Sequence, residues 1–247
     1  MKIRDLYKEY RVAAKRIQVL KGLNLDVDNH GITVVLGRSG CGKTTLLRLA
    51  AGLEQADRGC VEMGSDTKVG VIFQEPRLMP WLTAGDNILF GTGKRQGRGK
   101  QKVLDRHLDY LLELTGLKGF EDAYPSQLSG GMQQRAALAR ALAYKPDYLL
   151  MDEPFAALDY FTRNQMQREL LKIHQAEQKG ILFVTHSIDE ALTIGNKVVI
   201  LEDGGCRKEY DLGNIPYPRD LLSEKMGKIK KGIVEEMEKT GEIGMFP

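Results

Sequence analysis

A glycine-rich segment at positions 37–44 has the residue types that hold phosphate groups. It reads Gly-Arg-Ser-Gly-Cys-Gly-Lys-Thr, which satisfies the P-loop pattern. The glycines let backbone N–H groups converge on phosphate oxygens, and a following helix directs its positive end to the same place. Lys43 supplies charge for the β and γ phosphates, and the Thr44 hydroxyl is a candidate Mg²⁺ ligand. The predicted nucleotide-binding residues here are Gly37, Arg38, Ser39, Gly40, Cys41 (as a small filler rather than a nucleophile), Gly42, Lys43, Thr44 and Thr45.

An apolar stretch from Tyr148 to Met151 ends in two acidic residues, Asp152 and Glu153. Parallel sheets bind ligands at the carboxyl ends of their strands, where this stretch delivers its carboxylates. Asp152 is the candidate Mg²⁺ ligand, and Glu153 is the candidate to polarise the water that attacks the γ phosphate. In isolation the pattern is more typical of a solvated acidic turn. Downstream of a P-loop, the catalytic interpretation is favoured.

Two further polar residues, Gln74 and His186, directly follow predicted strands. An amide at position 74 can contact both Mg²⁺ and the attacking water. An imidazole at position 186 can hydrogen-bond the γ phosphate and orient that water. The alternatives are a polar strand cap for Gln74 and a structural histidine for His186. We interpret His30, His107 and His174 as structural.

The tripeptide Ser129-Gly130-Gly131 opens a predicted helix. A hydroxyl and two bare glycines at a helix N-terminus form a second anion site, although a plain capped helix start is the alternative. One nucleotide does not need two phosphate-binding helix ends in one chain. The second site is explained if it serves a nucleotide held by another copy of the chain.

The composition is that of an ordinary globular protein. The 247 residues are 42% hydrophobic and 28% charged, and the net charge of +3 is too small to imply nucleic acid as a partner. Cys41, Cys60 and Cys206 lack paired spacing, which favours free thiols in a reducing compartment. We expect no secretion signal and no membrane-spanning segment.

Predicted strands and helices alternate along the chain, which indicates an α/β fold with a mostly parallel sheet. The predicted strands are 23–27, 32–36, 69–73, 148–151, 181–185 and 197–201, and the predicted helices are 42–51, 103–112, 129–144 and 161–177. The mostly helical stretch of about 75–144 is predicted to be a subdomain inserted in the α/β core. Residues 1–205 then form the main domain, and 206–247 form a tail with an amphipathic helix on which Leu222, Met226, Ile229, Ile233 and Met237 share one face.

In this order, the motifs resemble those of the ATP-binding cassette (ABC) ATPases over about residues 2–205. The sequence has the P-loop, Gln74, a Leu128–Arg135 signature, the acidic pair, Ala157-Leu158-Asp159 and His186. The resemblance implies a P-loop NTPase cassette with an antiparallel β part near the N-terminus. It also implies a head-to-tail homodimer that clamps ATP between one P-loop and the other copy's signature, with Asp159 at the seam. Tyr10 matches the aromatic residue that stacks on adenine, with a strand-edge tyrosine as the alternative.

The signature has Met132 where glutamine is usual, which is similar to the nitrate/sulfonate/taurine branch of importers. The segments Glu75–Trp81 and Pro216–Asp220 point to the same branch. The resemblance therefore implies a magnesium-dependent ATPase on the cytoplasmic face of the membrane, partnered by an integral permease and an extracytoplasmic solute-binding protein. Leu78, Met79 and Trp81 are expected to line the permease-docking groove. The alternatives are a soluble ABC ATPase acting on nucleic acid or ribosomes, and an exporter cassette.

Overall fold

The structure is a computed structural model that describes residues 1–13, 15–92 and 101–239, with the backbone alone for 101–105. The chain divides into two compact units. Unit 1 contains Met1–Gly64 together with the chain from Gly180 onward, and unit 2 is Ser65–Lys179. In the part of the chain that is described, no helix is long and apolar enough to cross a membrane.

Unit 1 contains an antiparallel sheet of three strands, β1 (Lys2–Val12), β2 (Lys15–Asp26) and β4 (Arg58–Glu62), in the order β2-β1-β4. Alternation along β2 places Leu23 and Leu25 in the core, and a register shift between Leu23 and Lys21 allows Leu20 to be buried as well. The antiparallel part that the family resemblance implied near the N-terminus is therefore present.

The parallel strands of unit 1 are β3 (Ile32–Leu36), β7 (Gly180–Thr185) and β8 (Lys197–Glu202). β3 lies between β7 and β8 and is parallel to both, and β9 (Gly205–Asp211) pairs antiparallel with β8. Every residue of β3 and β7 is buried, which is why these strands are continuous apolar runs rather than alternating ones.

The helices of unit 1 are α1 (Lys43–Ala50), α6 (Ile188–Ile194) and α7 (Glu224–Glu238). α7 packs on α6 through an apolar face that includes the buried Met226 and Ile233, as the amphipathic pattern predicted. The placement of Leu222 on that face was wrong. Leu222 precedes the helix and is 95% exposed, because α7 begins only after the Ser223 N-cap.

Unit 2 is mostly helical and holds two parallel strands, β5 (Val69–Ile72) and β6 (Tyr148–Asp152). Its helices are α2 (Ala84–Leu89), α3 (Gln101–Leu114), α4 (Gly130–Ala143) and α5 (Tyr160–Glu177). Most predicted helices and strands are confirmed with end shifts of a few residues. The strand predicted at 23–27 is wrong at its start, because β2 begins at Lys15, and the individual elements β1, β4, β9, α2 and α6 were not predicted. The assignment of residues 1–205 to one domain and 206–247 to a tail stays a prediction.

Candidate active site

The P-loop connects β3 to α1 through a turn that only glycine enters easily. Gly42, the residue before α1, has φ of 106°, and a Cβ there would lie 3.0 Å from the Val19 carbonyl oxygen. The Lys43 side chain is 5% exposed, and its ammonium donates to the carbonyl oxygens of Gly37 and Arg38 at 2.9 Å each. The loop thus surrounds the ammonium of Lys43, the residue predicted from the sequence to bind the β and γ phosphates.

A cavity of about 450 Å³ lies beside the P-loop. Besides Gly37–Cys41, it is lined by β2, by the turn between β8 and β9, and by Met237 of α7. Burial raises the pKa of the Cys41 thiol, which keeps it protonated. The interpretation of Cys41 as a loop filler is consistent with this environment.

Tyr10 lies on β1 directly opposite Ile17 of β2, which lines the cavity. Residues opposite each other in an antiparallel pair share a sheet face. The Tyr10 hydroxyl donates to the Glu54 carboxylate, and the Lys8 ammonium lies 5.4 Å from the centroid of the ring. Burial, and then the Glu54 carboxylate, raise the pKa of Tyr10. The tyrosine is therefore fixed beside the cavity, and its stacking on adenine stays a prediction.

His186 follows β7 at the edge of the sheet where the P-loop begins. Leu36 of β3 is paired with Thr185 of β7, and the Gly37 N–H donates to the Thr185 carbonyl at 3.4 Å. Parallel pairing thus brings the start of the P-loop and His186 to one edge, as the sequence predicted. His186 is exposed, and the helix α6 begins two residues later.

Within unit 2, parallel pairing brings Gln74 and the acidic pair to one edge in the same way. Ile72, the last residue of β5, is paired with Met151 of β6. Asp152 ends β6 and is buried, whereas Gln74 is exposed. Glu153 has φ of 44°, a left-handed conformation that is uncommon for a non-glycine residue and that concentrates at functional sites.

The signature segment starts α4. The Ser129 side chain caps the helix by accepting from the Met132 N–H at 3.3 Å, and Ser129 and Gly130 are exposed. The Gln134 side chain on the same helix donates to the Phe73 carbonyl at 3.4 Å, which ties the signature helix to the residue before Gln74. The exposed residues of this helix start are thus Ser129 and Gly130, whereas Gly131 is buried and the Met132 N–H is used by the cap; anion binding here stays a prediction.

Asp159 caps α5 by accepting from the N–H groups of Phe161 and Thr162 at 3.0 and 3.1 Å. The Thr162 hydroxyl and N–H hold the pKa of this carboxyl below its usual value. The starts of α4 and α5 are in contact, because a Cβ at Gly131 would lie 2.8 Å from the Thr162 methyl carbon. The signature and Asp159 therefore belong to one rigid corner of unit 2.

Sequence reasoning missed several residues that hold this site in place. The Glu54 carboxylate accepts from the Tyr10 hydroxyl and holds that side chain. The Glu190 carboxylate accepts from the Thr185 hydroxyl at 2.5 Å. Arg140 donates to the carbonyls of Pro76 and Arg77. No motif marks these residues: Glu54 and Arg140 act through partners that are distant in sequence, and Glu190 acts through Thr185, five residues earlier, by a side-chain contact that no residue pattern encodes.

A family model described as "ABC transporter" matches residues 20–156, which is more than half of the chain. The chain belongs to the ABC transporter ATP-binding family. As a member, this ABC cassette is an ATPase that binds ATP, and the fold class predicted from the sequence is confirmed.

Individual relatives agree with this assignment. The cassette is 44% identical over 241 residues to an uncharacterized ABC transporter ATP-binding protein of Methanocaldococcus jannaschii, with 95% of this chain and 90% of the relative covered. It is 39% identical over 244 residues to the aliphatic sulfonates import ATP-binding protein SsuB of Bacillus subtilis (strain 168), with 96% and 93% covered.

Two solved structures have the same fold. One is the ATP-binding cassette MJ0796, described as dimeric in a post-hydrolysis state bound to ADP and Pi, with 31% identity, a TM-score of 0.74, and 85% of this chain and 98% of that chain covered. The other is cbiO1 from Clostridium perfringens, described as part of the ABC transporter complex cbiONQ. Its TM-score is 0.76 with 99% and 98% covered, and at 21% identity it shows the fold alone.

The contact between Gly131 and Thr162 predicts that alanine destabilises the protein at position 131 but not at the neighbouring position 130. Gly131→Ala should lower the free energy of unfolding by about 1–3 kcal/mol through overpacking, measured by urea denaturation. Gly130→Ala is the matched control, because its Cβ would lie at an ordinary contact distance of 3.9 Å from a methyl carbon of Leu158. Adding Thr162→Ser, which removes the methyl group and keeps the hydroxyl, should restore much of the lost stability. Equal stabilities for the two alanine variants would contradict the close packing.

Proposed function

We propose that this ABC cassette is the ATP-hydrolysing subunit of a membrane importer for a small solute of the nitrate, sulfonate or taurine type. The observation that carries the proposal is the exposed start of α4, an anion site in addition to the P-loop. The relative named as a sulfonate import ATP-binding protein matches nearly the whole chain, which supports the importer assignment and a location on the cytoplasmic face of the membrane. Neither the soluble nor the exporter alternative has such support.

The three residues proposed as ligands have donor groups that suit Mg²⁺. Thr44, Gln74 and Asp152 offer a hydroxyl, an amide and a carboxylate oxygen, and hard oxygen ligands are what this ion prefers. Among the described residues, no group of three or more His, Cys, Asp or Glu side chains could hold a metal by itself. This fits Mg²⁺, which is usually bound by one or two carboxylates together with substrate phosphates. When bound, the ion would neutralise phosphate charge.

The protein groups would act mainly by positioning and by charge. Lys43 and the P-loop amides bind the β and γ phosphates, and Glu153 accepts a proton from the attacking water. His186 and Gln74 orient that water and the γ phosphate. Reactions of this kind depend on in-line placement of the nucleophile, so rigid strand ends are suitable supports for these side chains.

The role of Glu153 can be tested with its amide isostere. Glu153→Gln should keep ATP binding and lower turnover by at least about a hundredfold, because the amide cannot take the proton. ATP binding is measured by equilibrium dialysis and turnover by phosphate release. Glu113→Gln, an exposed glutamate on α3, is the matched control. Hydrolysis by Glu153→Gln at near the wild-type rate would show that another group is the base.

The exposed signature would complete the ATP site of a second copy. One chain contains two anion-binding helix starts, at α1 and α4, but one P-loop. A related cassette is described as dimeric with ADP and Pi bound, which supports a homodimer in which each nucleotide contacts both chains. Such an isologous pair contains two equivalent composite sites.

Mixing two inactive variants tests this arrangement directly. Lys43→Ala should lose nucleotide binding, and Ser129→Arg should bind ATP without turning it over. An equal mixture should regain about a quarter of wild-type activity, because half of the dimers are mixed and each of these holds one intact site of two. Phosphate release by the mixture is compared with that of each variant alone. If the mixture stays inactive while both variants dimerise, the signature does not act across the dimer.

The segment that follows Gln74 has the properties of a permease-docking surface. Its backbone is held by buried polar groups: Asn87 is fully buried, accepts from the Met79 N–H at 2.7 Å and donates to the Met79 carbonyl at 3.1 Å. Arg140 on the signature helix holds the carbonyls of Pro76 and Arg77. The Trp81 side chain is nevertheless 70% exposed, and a large aromatic side chain on a rigid backbone is typical of an interface anchor.

Trp81→Ser should therefore abolish co-purification with the integral membrane permease and leave the ATPase activity of the isolated cassette unchanged. Partners captured from solubilised membranes are identified by mass spectrometry, and a solute-binding protein among them would support import. Phe120→Ser, an exposed aromatic elsewhere in unit 2, is the control and should retain the permease. Retention of the permease by the Trp81 variant would exclude this residue as an anchor.

A further inference from the structure

Arg219 lies in the segment that follows β9, and its guanidinium donates hydrogen bonds to four backbone carbonyls. Its Nε donates to Ile215, its Nη1 donates to Leu192 and Gly195, and its Nη2 donates to Leu212, at 2.5–3.1 Å. Burial lowers the pKa of Arg219. A half-buried charge that is bonded to four carbonyls has a fixed position, because moving it would leave several buried acceptors without donors.

These carbonyls include the C-terminal end of α6. Leu192 lies in the last turn of that helix and Gly195 is its C-cap residue. The Tyr217 hydroxyl donates to the carbonyl of Ile194 at 2.5 Å, and the Tyr217 ring stacks on the guanidinium with the central carbon 4.2 Å from the ring centroid. Helix C-termini have carbonyls that lack partners within the helix and carry partial negative charge, so the arginine satisfies both needs. We call Tyr217 and Arg219 the tail clasp.

The other end of α6 is joined to His186. Thr185 Oγ1 accepts from the Ser187 N–H at 3.0 Å and donates to Glu190, while Ser187 caps the helix by accepting from the Glu190 N–H at 3.3 Å. The tail also reaches this end, where Lys230 of α7 lies 2.6 Å from the Asp189 carboxylate. The backbone of His186 is therefore continuous with a helix that the tail holds at both ends.

We propose that the tail clasp is a positioning device for His186, so that the C-terminal tail sets the rate of ATP hydrolysis. The inference depends on the proposed role of His186. A helix of seven residues is too short to be stable by itself, so its orientation follows from the contacts at its ends. A shift of α6 would displace the His186 imidazole relative to the γ phosphate. When a remote substitution misplaces a catalytic group by about 1 Å, the reaction rate can fall by up to about a hundredfold.

The test separates turnover from nucleotide binding. Arg219→Gln should lower kcat about tenfold, equivalent to about 1.4 kcal/mol, and leave KM and the Kd for ATP unchanged. Arg219→Lys should recover part of the loss, since an ammonium can still bond two or three of the carbonyls. Tyr217→Phe, which loses one hydroxyl, should lower kcat by about threefold and keeps the proposal testable if Arg219→Gln does not fold. Leu222→Ala, in the same tail but 95% exposed, is the control and should match the wild type.

A second comparison shows whether the clasp acts through the histidine. His186→Ala should lose turnover, and adding Arg219→Gln to it should cause no further loss, because residues that act through one group are not additive. If both clasp variants have wild-type kcat while His186→Ala is inactive, the positioning role of the clasp is overturned and the proposed role of His186 stands. A joint loss of ATP affinity and kcat in Tyr217→Phe also overturns it, since that result indicates a general structural role. Wild-type activity in His186→Ala overturns the proposed site itself.

Discussion

The pairing of parallel strands is the constraint on which the rest of this structure depends. Strands that run in one direction end at one edge of a sheet, so whatever follows them is brought together. In unit 1 the pairing of Leu36 with Thr185 places the P-loop and His186 at one edge. In unit 2 the pairing of Ile72 with Met151 does the same for Gln74 and the acidic pair. Both sets of candidate catalytic side chains therefore owe their positions to the pairing of neighbouring parallel strands.

Helix starts are the second recurring feature, at α1 within unit 1 and at α4 and α5 within unit 2. α1, α4 and α5 all begin at residues that the motifs identify, and each start is stabilised differently. Gly42 precedes α1 with a left-handed backbone, Ser129 caps α4 with its hydroxyl, and Asp159 caps α5 with its carboxylate. The first two leave backbone N–H groups available to an anion, whereas the carboxylate of Asp159 already occupies its own helix start. This difference distinguishes the candidate anion sites at the starts of α1 and α4 from the start of α5, which its own side chain caps.

Buried and half-buried polar side chains hold backbone segments in both units. Asn87 and Arg140 bind the backbone on either side of Leu78, and Arg219 binds the end of α6. Each satisfies several backbone groups at once, so each fixes a loop without covering it with apolar side chains. Trp81 is exposed on a segment whose backbone is held in this way. The same principle operates in both units, although the residues involved share no motif.

The sequence by itself determined the nucleotide chemistry, the α/β class and most helix and strand positions. The P-loop, the acidic pair and the signature are short motifs whose spacing reflects local backbone geometry, so they can be recognised in the sequence. Buried strands can be recognised as apolar runs. Only the tertiary structure decided the left-handed backbone of Glu153, the exposure of Leu222 and the use of Arg219 as a clasp. The physical reason is that Arg219 binds the carbonyls of Leu192 and Gly195, which are more than twenty residues away in sequence. Every residue has a backbone carbonyl, so the residue types do not indicate which carbonyls will accept these hydrogen bonds.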